Sequence, residues 1–302
     1  MNKSQHIPVM LDKTIEILDI KPDKWYIDTT FGQGGHSAEI LSKKGLVVAF
    51  DYDQNNIESA QQHFSQEIEN ERLILIRENF DQLKNIINQL QAESTIAQIY
   101  GILFDFGTTS EQLMSEERGL SFQGKNDELD MRLDERLGVK ARDLLAIMDH
   151  KQLQKIFEVF GGETEAKSIA KEITKRRKNK QFITTVQQLQ DLITQTKHHS
   201  SSNINPATKV FQALRIAVND ELGSIERALP QALELIEPDG KIVTIAFHEG
   251  EDRIIKSYFR EWEKRDLGIQ GSKKVIKPTD QEVSRNQKSR SAKLRSFRKK
   301  SA

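Results

Sequence analysis

The sequence predicts an α/β protein: a doubly wound parallel sheet interrupted by an all-helical insertion. Three observations lead there. Apolar runs of strand length alternate with helical segments between residues 24 and 105. A glycine-crowded turn, FGQGGHS, joins the first strand to a helix. Strand-like runs then vanish from about Met114 and return at Ile242, with helical spacing between them.

His6 to Leu18 reads as a short lead-in followed by a helix, and Lys21-Pro22-Asp23 as a turn. The first strand closes at Tyr26-Ile27, with Asp28 at its end. Gly32, Gly34 and Gly35 crowd the next turn, and His36-Ser37 opens a helix that can run to Gly45. Strand, glycine turn and helix start together bring backbone N–H groups and a positive dipole end to one point. Glycine admits positive φ and lets a ligand approach the backbone. The sixth position of G-x-G-x-x-G is Ser37, so the dinucleotide fingerprint is incomplete.

LVVAF, residues 46–50, is continuous and apolar, as a strand buried on both faces should be. It ends at Asp51, seventeen positions after Gly34, where an acid can accept hydrogen bonds from both hydroxyls of a ribose. A helix over about Asn55 to Glu69, a strand over Arg72 to Ile76, Asn79-Phe80, a further helix and a strand over Ile99 to Phe104 follow. That last strand ends in Asp105. Ligands of doubly wound sheets bind at the carboxyl ends of the strands, and Asp28, Asp51, Phe80 and Asp105 all fall there. An acid at one strand end is most often a turn or cap residue. Four such placements beside one glycine turn favour a nucleotide-type cofactor, with NAD as one candidate.

Beyond Met114, Ala166, Ile169, Ala170 and Ile173 follow i, i+3, i+4, i+7 spacing, and Val186, Leu189 and Ile193 form a shorter stripe after Thr184-Thr185. These stripes are core positions. The polar loop His198 to Pro206 precedes a long helical stretch opened by Asn205-Pro206. Pro238-Asp239-Gly240 then turns into KIVTIAF. The implied organisation is an α/β core over residues 1–113, a helical substrate-recognition insertion over 114–205, and a second core part over 206–302 with a basic tail.

Forty-five basic and 45 acidic residues balance, and no apolar run approaches a membrane span. Without a signal-peptide core or any cysteine, the chain is expected to be cytoplasmic, with no disulfide or thiolate chemistry. Charge is uneven, however. Residues 271–302 hold eleven Lys or Arg against Asp280 and Glu282, and KEITKRRKNK occupies 171–180. Such blocks favour polyanions such as RNA; the plainer alternative is a solvated helix end and a disordered tail.

HIPVMLDKTIEIL, DTTFGQGGHS, FDYD, ILFDFGTTSEQL, ERGLSF, LDMRLD, NPATKVFQALRIAVNDEL and AFHEGEDRIIK occur in an order that resembles the ribosomal RNA small subunit methyltransferase H family. The resemblance runs from His6 to NQKSRSAKLR in the tail. It implies a class I methyltransferase, a Rossmann-like doubly wound sheet with the helical insertion. It also implies S-adenosylmethionine as methyl donor, no metal, and the N4 amine of a cytidine in small-subunit (16S) ribosomal RNA as acceptor. The partner would be that RNA or the assembled small ribosomal subunit, with no membrane association, and homodimerisation is left open.

By the same resemblance Gly34, Gly35 and His36 would contact the methionine portion and Asp51 the ribose. Phe80 would lie against adenine, with Asp105 and Gln112 completing the pocket. Asp105 is the first candidate for polarising the amine and Asp130 the second; the alternative for Asp130 is a salt bridge to Arg132 or Arg136. His248 could orient the base, although a histidine at a strand end is more often structural. The chain departs from the family pattern at Gln33, where Arg is usual, and in GTTSEQ, NDELDMRLD and AFHEGEDR. Two other readings remain: methylation of another RNA position, and an RNA-binding ribosome-assembly factor that keeps the pocket.

Overall fold

A computed structural model describes residues 7–107, 118–122, 124, 127–197 and 205–301. It divides into two compact units, Met1–Gly107 with Leu222–Ala302, and Thr108–Glu221. The second unit thus includes residues 206–221, which the sequence assigned to the core.

The first unit is built on a seven-stranded sheet in the order β3-β2-β1-β4-β5-β7-β6. Its strands are β1 Trp25–Asp28, β2 Leu46–Phe50, β3 Leu73–Ile76, β4 Ile99–Asp105, β5 Ile236–Ala246, β6 Gly268–Gln270 and β7 Lys293–Lys299. β1 to β5 run parallel and β7 antiparallel to both neighbours. The apolar runs become central strands because both faces are covered: Tyr26, Ile27, Val47, Val48, Ile102 and Leu103 are fully buried. The register pairs Asp28 with Ala49 and Leu103, and Asp105 with Ile245. The carboxyl ends of the central strands therefore gather at one edge of the sheet.

The helices of this unit's first segment are α1 Leu11–Leu18, α2 Gly35–Ser42, α3 Gln54–His63, α4 Ser65–Glu69 and α5 Leu83–Ala92. The expected single helix over 55–69 is thus two. Phe64 leaves helical geometry at the break, and its ring packs edge-on against Phe31 at 5.6 Å. Pro238-Asp239-Gly240 lies inside β5: the register jumps from Ile99–Ile236 to Gly101–Lys241, with Asp239 at φ 63°.

The C-terminal tail is the main revision. β7 is a strand within the sheet, with Leu294 and Phe297 buried. Arg295 is buried too, its guanidinium donating to Asp252 at 2.7 and 3.1 Å. Lys293 pairs with Glu249, and Lys299 donates to the Ile236 carbonyl at 2.7 Å. Three of the tail's eleven cations thus fasten the strand.

The second unit holds α6 Ala141–Ile147, α7 His150–Val159, α8 Ala166–Lys178, α9 Val186–Thr196 and α10 Thr208–Asn219. Leu153, Phe157, Ile169, Ile173, Leu189, Ile193 and Leu214 bury their side chains among these helices. Each contributes roughly 1.5–3 kcal/mol of apolar burial. The helix starts match their sequence: Asp149 and Thr185 accept from first-turn N–H groups, with Gln152 and Gln188 completing capping boxes. α10 ends at Asp220 (φ 47°), and α11 Glu221–Leu235 begins at once, so the long stretch expected after Asn205 is two helices. Among the described residues no helix is long and apolar enough to cross a membrane.

Candidate functional site

The glycine turn is held from both sides. Gly32 and Gly34 have φ of 55° and 76°, and Gly34 is the residue before α2. A Cβ on Gly34 would lie 2.5 Å from the Phe31 ring. One on Gly35 would lie 2.1 Å from Pro8 Cγ. Gly35 is therefore required by the lead-in segment packed across it, a reason its sequence context did not suggest. His36, buried in the first turn of α2, places Nε2 3.2 Å from the Val9 carbonyl, so the same segment fixes its ring. The first N–H groups of α2 have no partner inside the helix.

The DTT that follows β1 binds adjacent strand ends together. Thr29 donates its hydroxyl to the Leu103 carbonyl at 2.9 Å, and Thr30 Oγ1 accepts from Asp105 N at 2.8 Å. Asp28 accepts the Ser37 hydroxyl at 2.7 Å. The serine that broke the dinucleotide fingerprint thus joins the end of β1 to α2. Burial pushes the Asp28 carboxyl up to about 6 against that bond.

Asp51 accepts from Gly32 N, Asp53 N and Asn56 Nδ2, each at 2.8 Å. A carboxylate offers about four acceptor positions, so about one remains for a ligand. The sequence had this acid take both ribose hydroxyls; the geometry leaves room for one. Burial raises its pKa to about 7, against the three hydrogen bonds.

Asp105 differs. Among the described residues its carboxyl takes one hydrogen bond, a long one from Gly107 N at 3.3 Å, while His36 Nδ1 lies 3.7 Å from Oδ2. Its side chain is 18% exposed. Burial first, then the like charges of Asp28 and Glu251, push its pKa up to about 8. Among the described residues it is a largely buried acid with one long hydrogen bond, which is costly unless a partner arrives and marks it as a functional group.

Glu251 is itself buried at the start of α12, Glu249–Lys264. Its Oε2 accepts from Phe247 N and His248 N at 2.7 and 3.2 Å. His248 caps this helix, Nδ1 accepting from Gly250 N and Glu251 N at 3.1 and 3.4 Å. The structural alternative for His248 is the observed one.

Phe80 follows the capping residue Asn79 and is buried, 5.9 Å from Phe104 and 5.8 Å from Phe106 in edge-on geometry. It belongs to an aromatic cluster that flanks Asp105 at the end of β4, of which the sequence singled out one member.

The structure thus brings Gly34, Gly35, His36, Asp51, Phe80 and Asp105 to one edge of the sheet. Gln112 lies outside the described residues. Asp130 belongs to the second unit and is occupied there. Arg132 donates to it at 2.7 and 2.9 Å, and Lys140 lies at 3.4 Å. Burial works to raise its pKa, but the Arg132 hydrogen bonds and these cations hold it below the usual carboxylate range. Asp134 is paired with Arg136 at 2.8 Å, and Asn219 holds the intervening backbone through the Met131 carbonyl and Leu133 N. Gln33 is exposed at the turn, and nothing in the structure explains its replacing arginine.

Sequence reasoning missed the bonding roles of Thr30, Ser37, Asn56 and Glu251, whose shared signal is a polar residue two positions after a strand-end acid or third in the helix behind it. The model of the MraW methylase family matches residues 3–300. The chain belongs to that family. A ribosomal RNA small subunit methyltransferase H from Caldicellulosiruptor saccharolyticus is 39% identical, covering 96% of this chain and 98% of that protein. Proteins of the same name from Dictyoglomus thermophilum and Streptococcus mutans are 38% and 37% identical, covering 97% and 99% of this chain and 96% and 98% of their own. Among solved structures, an rRNA methylase from Streptococcus thermophilus aligns with a TM-score of 0.47 at 11% identity, covering 98% of this chain and 99% of its own. A Streptococcus mutans protein solved in complex with SAH aligns with a TM-score of 0.45 at 13% identity, covering 97% and 99%.

The fold of this MraW-family chain is the Rossmann-like doubly wound sheet expected from the sequence. The chemistry of its strand ends fits an S-adenosyl cofactor: an acid with one acceptor position left, an aromatic cluster, and an acid that takes one long hydrogen bond among the described residues.

Proposed function

We propose that this chain transfers a methyl group from S-adenosylmethionine to the N4 amine of a cytidine in small-subunit ribosomal RNA, in the cytoplasm. One observation carries the mechanism: the carboxyl of Asp105 beside the glycine turn, which takes a single long hydrogen bond among the described residues. The names of the relatives support the RNA substrate, and the basic surface of the second unit supports a polyanion.

Gly34, Gly35 and His36 would hold the methionine portion, Asp51 one ribose hydroxyl, and Phe80 a face of adenine. When bound, the sulfonium supplies an activated methyl whose leaving group is a neutral thioether. The amine nitrogen is a poor nucleophile because its lone pair is delocalised into the ring. Ionised Asp105 would accept one amine hydrogen, drawing the nitrogen towards tetrahedral geometry as its bond to the methyl carbon forms. It would then take the proton that the methylated nitrogen must lose. Positioning and this preorganised acceptor supply the rate gain. Asp130, engaged by Arg132 and Lys140, has no part in the proposal.

The test is single-turnover transfer of labelled methyl to unmodified small subunits, followed by nucleoside mapping. Label in N4-methylcytidine is the expected result. Label in another nucleoside would overturn the acceptor, and cofactor binding without transfer would leave the assembly-factor reading.

A further inference from the structure

The second unit carries a cavity of about 540 Å³ at the join between α8 and α9. Its lining includes Phe182, Lys175, Arg176, Asn179, Gln181 and Gln188. Phe182 is 54% exposed, whereas Phe157 and Phe211 of the same unit are buried. It stays outside because the four-residue link 181–184 between the two helices buries the neighbouring Ile183 and turns Phe182 outward.

The turn that presents this ring is well determined. Lys180 N donates to the Arg177 carbonyl at 2.9 Å and Gln181 N to the Arg176 carbonyl at 3.0 Å, the paired bonds of a Schellman ending. The left-handed residue of that motif is usually glycine; here it is Lys180, at φ 61°. Arg176 is steadied from two sides, with Nη2 donating to Gln195 at 2.8 Å and Nε 3.5 Å from Glu172. Gln188 accepts from Thr184 N and Thr185 N through its amide oxygen, so its NH₂ is what it can offer a ligand. Lys175 is 72% exposed at the rim, its Nζ 3.4 Å from a carboxylate oxygen of Glu172, which also lines the cavity.

We infer that this cavity is a nucleobase subsite for single-stranded RNA, taking one unstacked base against Phe182 with its phosphate at Lys175. The parts match the ligand: an aromatic face for any base, amides for its polar edge, and an exposed cation for the backbone. The inference rests on the RNA-substrate reading above. It adds a contact made by the helical unit itself, separate from the cofactor-side residues.

The experiment measures equilibrium binding of a fluorescent single-stranded dodecauridylate, and of the same oligomer carrying abasic sugars, across a salt series. Wild-type protein should bind the base-bearing oligomer more tightly than the abasic one. Phe182→Ala should weaken the former by about tenfold, leave the latter unchanged, and keep the salt slope. Phe182→Trp should restore binding, and Lys175→Ala should flatten the slope by about 0.7. Equal binding of both oligomers by wild type, or an equal loss on both in Phe182→Ala, overturns the subsite. So does a change in sedimentation without a change in RNA binding, which would make Phe182 a contact between copies. Methyl transfer by wild type to unmodified small subunits, run in parallel, decides the underlying reading separately.

Discussion

Replacing Asp105 with Asn tests whether the buried acid at the end of β4 is held neutral by its surroundings and used when ionised. Its folded pKa is about 8, whereas an unfolded aspartate titrates near 3.9. A pKa raised on folding means that the native state binds the extra proton. Its stabilising contribution is complete below the unfolded value and is lost as pH rises through the folded one. The slope is about 1.36 kcal/mol per pH unit, and the interval from the unfolded value to pH 7 spans about three units. The ionisable group therefore costs at most about 4 kcal/mol at pH 7 relative to an isosteric neutral side chain. Asp105→Asn should gain stability over wild type progressively between about pH 4 and pH 8, read from urea unfolding at pH 5, 7 and 8.5. A stability difference that is flat with pH would show that the carboxyl is not buried in the neutral form. Activity should move the opposite way. The wild-type single-turnover rate should climb about tenfold per unit below pH 8 and level above it, while the variant loses roughly 100-fold or more. Near-wild-type transfer in Asp105→Asn would remove the residue from the mechanism.

Gly35→Ala must displace Pro8, and should cost about 1–3 kcal/mol while weakening S-adenosylmethionine in calorimetric titration, because the same segment fixes His36. Unchanged cofactor affinity would uncouple the lead-in from the pocket. His248→Asn should keep the start of α12, since asparagine caps well, whereas His248→Ala should lose about 1 kcal/mol in thermal unfolding; equal losses would contradict the capping role. Arg295→Met leaves Asp252 buried without its partner and should cost about 3–5 kcal/mol, with no change in the salt slope of RNA binding. A flatter slope would return β7 to the nucleic-acid surface.

The parallel half of the sheet was legible because its strands are buried on both faces and read as unbroken apolar runs. The acids at their ends followed from chain order alone. The antiparallel edge was not legible. KLRSFRK has two large apolar residues, and its alternation is masked because Arg295 points its charge at a buried partner, which no local pattern reveals. Gly35 and Ser37 illustrate the same limit at the site. Gly35 reads from the sequence as room for a ligand and Ser37 as a break in the dinucleotide fingerprint, yet their neighbours are Pro8 and Asp28, contacts that no local spacing encodes. Asp130 shows the converse, since its salt bridge to Arg132 was already written two positions away.

Charge counted along the chain likewise overstates what RNA can meet. KEITKRRKNK offers six cations, but Arg177 donates to the carbonyls of Leu145, Ala146 and Met148, closing the end of α6, and Arg176 is engaged by Gln195 and Glu172. Lys171, Lys175, Lys178 and Lys180 remain exposed. Counterion release then assigns this segment a salt slope of about −3 on single-stranded RNA, where six cations would give about −4. Replacing the four lysines with alanine should flatten the measured slope by about 3 with little change in unfolding midpoint. Arg177→Ala should do the reverse, destabilising α6 while leaving the slope alone, because its guanidinium serves the protein's own backbone. A slope that flattens with Arg177→Ala by the amount expected of an exposed lysine would mean that this arginine reaches the nucleic acid.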